Sequence, residues 1–327
     1  MSFVSEFKSK LSNIQASSFN GLAMDLFRHQ AKSIPVYRDF LSYLRIDNKK
    51  INSIEEIPFM PISFFKTHKV YNGSADSYYS SSGTTGEVTS KHYYNDESFY
   101  LKHAQQLFEQ SYQVNLKDCV ILALLPSYLE RKGSSLVSMC QHFINESGND
   151  LSNFYLYNHE ELHQTILSLK ASNKKVFLIG VTFGLLDFAE KFSFTGIPIT
   201  VIETGGMKGK RKEIIREEVH QVLCNKLGVS LIHSEYGMTE LLSQSYSKGN
   251  GIFKPSSSMK VLIRDLNDPL SNHLQGRGCL NIVDLANIES CAFIATQDLG
   301  KVYKNGYFEV NGRIDNSDIR GCNLMIT

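Results

Sequence analysis

Several things are missing from this 327-residue chain, and each absence excludes something. The six cysteines (Cys119, Cys140, Cys224, Cys279, Cys291, Cys322) include no C-x-x-C pair. That argues against a structural zinc site and against a disulfide framework, and it makes a reducing cytoplasm the expected location. The histidines are spread along the chain and form no metal cluster. Net charge is only +1, so no electrostatic argument favours nucleic acid or an acidic membrane as partner. The longest apolar runs, 120–125 and 176–181, are too short to span a bilayer and read as buried strands. The first residues carry no apolar h-region, so no secretory signal is expected. The G-x-x-x-x-G-K-[ST] order is absent, so there is no Walker A loop. No internal repeat or low-complexity tract is visible.

What remains is a globular composition, 42% hydrophobic and 20% charged, with volume for a large core. Residues 1–75 read as mainly helical: Leu22, Leu26 and Phe27, then Phe40, Leu41 and Leu44, recur at helical spacing. Pro58 and Pro61 exclude a helix interior over 57–65, which reads as an extended connector pressed onto the core. Asn95 and Asp96 are N-cap candidates for a helix running to Gln110.

Short apolar strands then alternate with helices. Strands are expected at 120–125, 154–157, 176–179, 199–203 and 229–233, and helices at 135–143, 159–170, 185–192 and 212–226. Such alternation predicts an α/β fold with a mostly parallel, helix-covered sheet, whose ligands bind beyond the carboxyl ends of strands. From Lys254 onward the pattern is β-rich, with strands expected at 259–264, 278–283, 291–295 and 307–310. The predicted organisation is an α/β core over 1–258 and a smaller β-rich section over 259–327.

Four stretches fall at loop ends of this scheme. The run Ser80-Ser81-Ser82-Gly83-Thr84-Thr85-Gly86 combines hydroxyls with glycines, so its side chains and successive N–H groups can face one anion. The same composition also makes a solvated linker. Glu203-Thr204-Gly205-Gly206-Met207 places a double glycine after a strand, which suits close approach to a flat ligand or a simple turn. Tyr236-Gly237-Met238-Thr239-Glu240 offers a ring to stack a base, a hydroxyl for a phosphate and a carboxylate for Mg²⁺. Thr296-Gln297-Asp298 with Gly312-Arg313 offers a loop carboxylate that can accept two ribose hydroxyls beside a supporting cation. Each stretch alone also has a turn or capping explanation.

In this order, the four resemble the motifs of the adenylate-forming superfamily of acyl- and aryl-CoA synthetases, luciferases and peptide-synthetase adenylation domains. Ser81–Gly86 matches its phosphate loop, Tyr236–Glu240 its aromatic-Gly-x-Thr-Glu motif, and Asp298 with Arg313 its ribose pair. Within the superfamily, Ser90-Lys91-His92, the double-glycine motif and the ending Ser317-Asp318-Ile319-Arg320-Gly321-Cys322 resemble the acyl-protein synthetases, the long-chain-fatty-acid–luciferin-component ligase (LuxE-like) family. Phenylacetate–CoA ligases share the phosphate-loop and Tyr-Gly-x-Thr-Glu motifs. The sequence departs from the superfamily at Thr89, where a lysine is usual, and it ends at Thr327, so the separate C-terminal lysine domain is expected to be absent.

The resemblance implies an acetyl-CoA-synthetase-like fold and ATP-dependent activation of a carboxylic acid, a fatty acid in this family, to an acyl adenylate. It implies that Ser81, Ser82, Gly83, Thr84, Thr85 and Gly86 hold the β- and γ-phosphates, and that Thr239 meets the α-phosphate. Glu240 binds Mg²⁺, Tyr236 stacks on adenine beside Gly237, Gly205 and Gly206 line the base and carboxylate region, and Asp298 with Arg313 holds the ribose. In acyl-protein synthetases a C-terminal cysteine then takes the acyl group and passes it on. Cys322 lies in the matching region; packing of a short terminal strand is its other reading. An acyl reductase, acyl transferase or acyl carrier protein is the implied partner. The alternatives are an acyl- or aryl-CoA ligase, and a non-catalytic nucleotide-binding subunit. Tyr128, Phe183, Met207 and Met238 are candidate walls for the acyl chain.

Overall fold

A computed structural model describes residues 2–81, 88–125, 133–155, 157–205 and 215–314. Ser82–Gly86, Tyr128, Gly206, Met207 and Cys322 lie outside these residues. The chain begins with helices α1 (Phe3–Ser12), α2 (Phe19–Ser33) and α3 (Pro35–Tyr43). In α2 the positions Leu22, Ala23, Leu26, Phe27 and Gln30 recur every three or four residues and are all buried. Proline opens α3, where its fixed φ suits a first turn. The Pro58–Pro61 connector is indeed extended: β1 (Met60–Pro61) lies parallel to a later strand, and the hydroxyl of Tyr37 donates to the Pro58 carbonyl at 2.7 Å. A short helix α4 (Phe64–Thr67) and a hairpin of β2 (Ser77–Ser80) and β3 (Lys91–Tyr94) follow.

The α/β section comes next. Helix α5 (Glu97–Tyr112) starts as expected at Asp96, whose carboxylate accepts from the Phe99 N–H. It is followed by β4 (Cys119–Leu124), α6 (Ser135–Ser147), β5 (Asn153–Phe154), α7 (His159–Ser168), β6 (Lys175–Val181), α8 (Thr182–Ala189), β7 (Ile199–Thr204), α9 (Arg216–Leu227) and β8 (Ile232–Tyr236). These five strands pair in parallel in the order β5-β4-β6-β7-β8. Every residue of β4 is buried, the signature of a strand covered on both faces. Alternation sends Ile121, Ala123, Phe177 and Ile179 into one core with α5 and α6, and Val120, Leu122 and Leu178 into a second core under α7, α8 and α9.

Beyond β8 the sheet continues antiparallel through β9 (Ser245–Ser247) and β10 (Ile252–Lys254). It then passes to β14 (Phe308–Arg313), β13 (Phe293–Val302), β12 (Gly276–Asp284) and β11 (Met259–Arg264). Among the described residues, twelve strands including β1 form this one sheet.

Two placements differ from the sequence reading in ways that matter for the site. The strand expected at 229–233 is β8, three residues later. The cause is the end of α9: Gly228 turns the chain at φ 76°, and the N–H groups of Gly228 and Val229 both fold back onto the Cys224 carbonyl. A Cβ at Gly228 would fall 1.9 Å from Thr195 Oγ1, so only glycine fits there. Tyr236 therefore closes a strand instead of lying in a loop. Asp298, expected in a loop, lies inside β13, opposite Arg313. Beside it the β13–β14 ladder slips between Leu299 and Gly300, a bulge that bends the pair.

Candidate active site

Three motifs distant in sequence meet at the carboxyl end of β8. The first enters through the β2–β3 hairpin. Its strands diverge at Ser81 and Ser90, where the Ser81 N–H donates to the Ser90 carbonyl at 3.0 Å and the Ser90 N–H donates to Ser81 Oγ at 2.9 Å. These two bonds pin the neck of the Ser/Thr/Gly loop, whose remaining motif residues lie outside the described ones. The ammonium of Lys91 sits 4.8 Å from the centre of the Tyr78 ring, a cation–π contact within the hairpin.

Beyond the neck, Ser90 and His92 project on one face of β3, and both reach the second motif. His92 Nδ1 lies 2.9 Å from the Thr239 carbonyl and Nε2 lies 2.8 Å from Ser290 Oγ. A carbonyl only accepts, so Nδ1 carries the proton, and the bare Nε2 accepts from the serine hydroxyl. Burial holds this imidazole down at about 4, so it is neutral. Ser90 hydrogen-bonds to the carboxyl of Glu240. The sequence reading quoted Ser90-Lys91-His92 as a motif but gave its residues no task, because the partners lie about 150 residues away. Strand alternation of Ser90 and His92 was the available signal.

Thr239 and Glu240 form a turn, closed by the Leu241 N–H on the Met238 carbonyl. The segment behind it is anchored deep in the core. The carboxylate of buried Asp284 accepts from the N–H groups of Leu242, Ser243 and Ala286 and from the Ser243 hydroxyl. Asn287 donates to the Glu240 carbonyl at 2.8 Å. Burial raises the Glu240 carboxyl above its ordinary range; Ser90 and Arg313 oppose that, and Asp298 reinforces it.

The third motif completes the group. Tyr236 donates its phenol proton to Asp298 Oδ2 at 2.8 Å, across 62 residues of sequence. The tyrosine ring packs against Phe253 and Phe308. Arg313 Nε stands 3.9 Å from the other Asp298 oxygen, with its own side chain 63% exposed. Burial raises the Asp298 carboxyl, against the Tyr236 phenol, Arg313 and Arg216. Arg216, which the sequence reading passed over, bridges two elements: its Nη1 donates to the Val310 carbonyl at 3.1 Å and its Nε lies 4.0 Å from Glu203 Oε2. Burial pushes Glu203 up, but His220, Arg216 and Thr182 outweigh it and the net shift is down. Gly205, at φ 75°, ends β7 beside this carboxylate, and its carbonyl accepts from Thr182 Oγ1 at 3.1 Å.

This geometry can be compared with known proteins. Structure comparison aligns 74% of the chain with an ATP-bound RpMatB-BxBclM chimera at 16% identity and a TM-score of 0.52. It aligns 72% with a long-chain-fatty-acid–CoA ligase from Archaeoglobus fulgidus at 15% identity and a TM-score of 0.51. A 2-hydroxyisobutyryl-CoA ligase in its postadenylation state, bound to 2-HIB-AMP, covers 92% at 10% identity and a TM-score of 0.62. The fold is the one these ligases share. The chain spans about half the length of the first two, 49% and 51%, and 68% of the third. No protein-family model matches the sequence, and no curated protein matches it.

In this fold the Ser81 neck, Thr239, Glu240, Tyr236, Asp298 and Arg313 come together around one strand end, where α/β sheets hold ligands. Among the described residues no helix is long and apolar enough to cross a membrane, and no group of three or more His, Cys, Asp or Glu side chains is arranged to hold a metal ion.

Proposed function

We propose that this chain activates a carboxylic acid with ATP, forming an acyl adenylate and pyrophosphate, and passes the acyl group to a protein thiol. The observation that carries the proposal is the convergence of Tyr236, Asp298 and Glu240 with the His92 clasp on Thr239. In the reaction a carboxylate oxygen attacks the α-phosphorus and the bond to the bridging oxygen of pyrophosphate breaks. Both partners are anions, so positioning and charge neutralisation are the main tasks.

The Ser81–Gly86 loop takes the β- and γ-phosphates with its hydroxyls and N–H groups. Thr239, whose carbonyl is held by His92, presents its side chain to the α-phosphate. Asp298 accepts the ribose hydroxyls beside Arg313. Tyr236 is the stacking partner of adenine in this proposal, and its phenol fixes Asp298. Gly205 and Gly206 allow close approach of the base and the substrate carboxylate. Mg²⁺ is bound in proteins through one or two carboxylates together with substrate phosphates. Glu240 fits that donor set, as a buried carboxyl whose side-chain partner is the Ser90 hydroxyl. When bound, the ion neutralises phosphate charge.

Cys322 is the proposed acyl acceptor in the transfer step: its sulfur attacks the acyl carbonyl and AMP leaves. Hydroxylamine trapping tests the first step, with an acid-dependent hydroxamate as the expected product. Labelling with a radioactive form of the acid that gives hydroxamate tests the second. Thioester label should be present on the wild type and absent from Cys322→Ser; label persisting on that variant removes Cys322 from the route.

A further inference from the structure

Strand β8 has two faces. Ser234 and Tyr236 point towards α9 and Asp298, with Ser234 Oγ 3.2 Å from His220 Nε2. His233 and Glu235 point the other way, towards the core built on α5 and α6, where the His233 ring stacks on Tyr112 at 5.6 Å. Glu235 sits directly opposite Tyr246 in the β8–β9 pairing. One carboxyl oxygen, Oε2, accepts the Thr204 hydroxyl. The other, Oε1, lies against Gly237, so a methyl added there would fall 2.2 Å from it and 3.5 Å from Gln244 Cγ. Glu235 and Gln244 thus flank the exposed Gly237 at the mouth of the site.

Around this point polar atoms lack partners. The Tyr246 hydroxyl and Gln244 Oε1 are both buried with no hydrogen bond, in side chains 5% and 3% exposed. The other polar groups nearby are engaged elsewhere or silent. Tyr100 donates to the Ser135 carbonyl, Tyr112 meets His233, and Cys140 is buried. Burial, reinforced by the charge of Glu203 and opposed by Thr204, raises the Glu235 carboxyl to about 7. No cation among the described residues offsets it. The result is a half-buried carboxyl, an amide oxygen and a phenol, with acceptors in excess of donors. An alkyl chain laid there would leave the Gln244 oxygen and the Tyr246 hydroxyl unsatisfied beside the free edge of the carboxyl. A group that donates hydrogen bonds would satisfy them.

We propose that the acid activated by this chain bears a hydroxyl or a protonated amine on its carbon chain, and that Glu235, Gln244 and Tyr246 receive that group. This rests on the acid-activating function proposed above. It makes Glu235 a specificity-determining residue and sets aside a plain fatty acid as the preferred substrate. Sites built to hydrogen-bond a substrate hydroxyl or amine reject the analogue lacking it by about 10⁴-fold.

The test is a panel of hexanoate, 3-hydroxyhexanoate, 6-hydroxyhexanoate, 3-aminohexanoate and 6-aminohexanoate, measured by hydroxamate formation and by thermal shift in the presence of ATP. At least one substituted acid should exceed hexanoate by on the order of 10⁴-fold in kcat/KM. Glu235→Leu should abolish that preference. Glu235→Gln, nearly isosteric, should keep a hydroxy acid and lose an amino acid. For an amino acid, kcat/KM should rise as pH climbs through about 7, as Glu235 ionises against Tyr246, Tyr100, Tyr112, Cys140 and Glu203; for a hydroxy acid it should not. If hexanoate is used as well as any substituted acid and Glu235→Leu changes nothing, the proposal is wrong. If no acid yields hydroxamate, yet a substituted acid raises the melting temperature only while Glu235 is present, the subsite stands and the acid-activating function falls. If no acid yields hydroxamate and none gives a Glu235-dependent shift, the subsite is overturned.

Discussion

Replacing His92 tests the joint between the neck of the Ser/Thr/Gly loop and the Thr239 turn. In His92→Leu the Thr239 carbonyl loses its donor and the Ser290 hydroxyl loses its acceptor, both in a buried setting. Stranding a buried polar group costs about 1–3 kcal/mol, and the serine hydroxyl can rotate to relieve part of its share. The expected loss of stability is therefore about 2–4 kcal/mol. Release of Thr239 from its anchor should also lower kcat/KM for ATP, on the order of 10²-fold if the side chain is displaced by about 1 Å. His92→Asn places an amide donor near the position of Nδ1, so it should regain much of the activity while recovering less of the stability. Chemical denaturation and hydroxamate formation at varied ATP report the two effects separately. Nitrogen-15 NMR of wild-type His92 should show the proton on Nδ1. Equal activity of His92→Leu and wild type, or a proton on Nε2, would refute the clasp.

Other outcomes follow from the same geometry. Tyr236→Phe removes the proton held on Asp298, a bond to a charged group contributing about 1.5–3 kcal/mol, so KM for ATP should rise about 10- to 100-fold. Without that donor the Asp298 carboxyl climbs further, and the acidic limb of the pH–rate profile should move to higher pH. Gly228→Ala combines a left-handed φ with a clash against Thr195 and should lower stability by about 2–4 kcal/mol in denaturant titration. His92 and His103 are buried and neutral, each held at about 4 against an unfolded value near 6.5. The unfolded chain binds more protons in that window, so stability should fall as pH drops from about 6.5 to about 4, by on the order of 2–3 kcal/mol for each. Asn at position 103 should flatten that slope. Chelation of divalent ions should abolish adenylate formation, and Glu240→Gln should raise the Mg²⁺ concentration needed to restore it.

The sequence was most legible where burial is two-sided. Cys119–Leu124 and 176–181 are unbroken apolar runs, as suits a covered parallel strand of that length. It was least legible where polar residues are buried by pairing. Ser245–Ser247 and Ile252–Lys254 were not seen as strands, because Ser-Tyr-Ser carries no apolar alternation although β8 and β10 cover it on either side. Asp298 was recognised by motif but assigned to a loop, since Thr296-Gln297-Asp298 reads as polar although all three lie in β13 and Asp298 pairs with Arg313 of β14. The roles of His92 and Glu235 depend on partners fixed by topology: the Thr239 carbonyl for one, Tyr246 across a strand for the other. Neither pairing leaves a mark in local sequence.

Exchange of radioactive pyrophosphate into ATP tests the central claim most directly. With ATP, Mg²⁺ and a panel of carboxylic acids, the account requires exchange that depends on the acid and falls steeply in Asp298→Ala. An enzyme that binds ATP but exchanges no pyrophosphate with any acid, or exchanges it equally well without one, would contradict it.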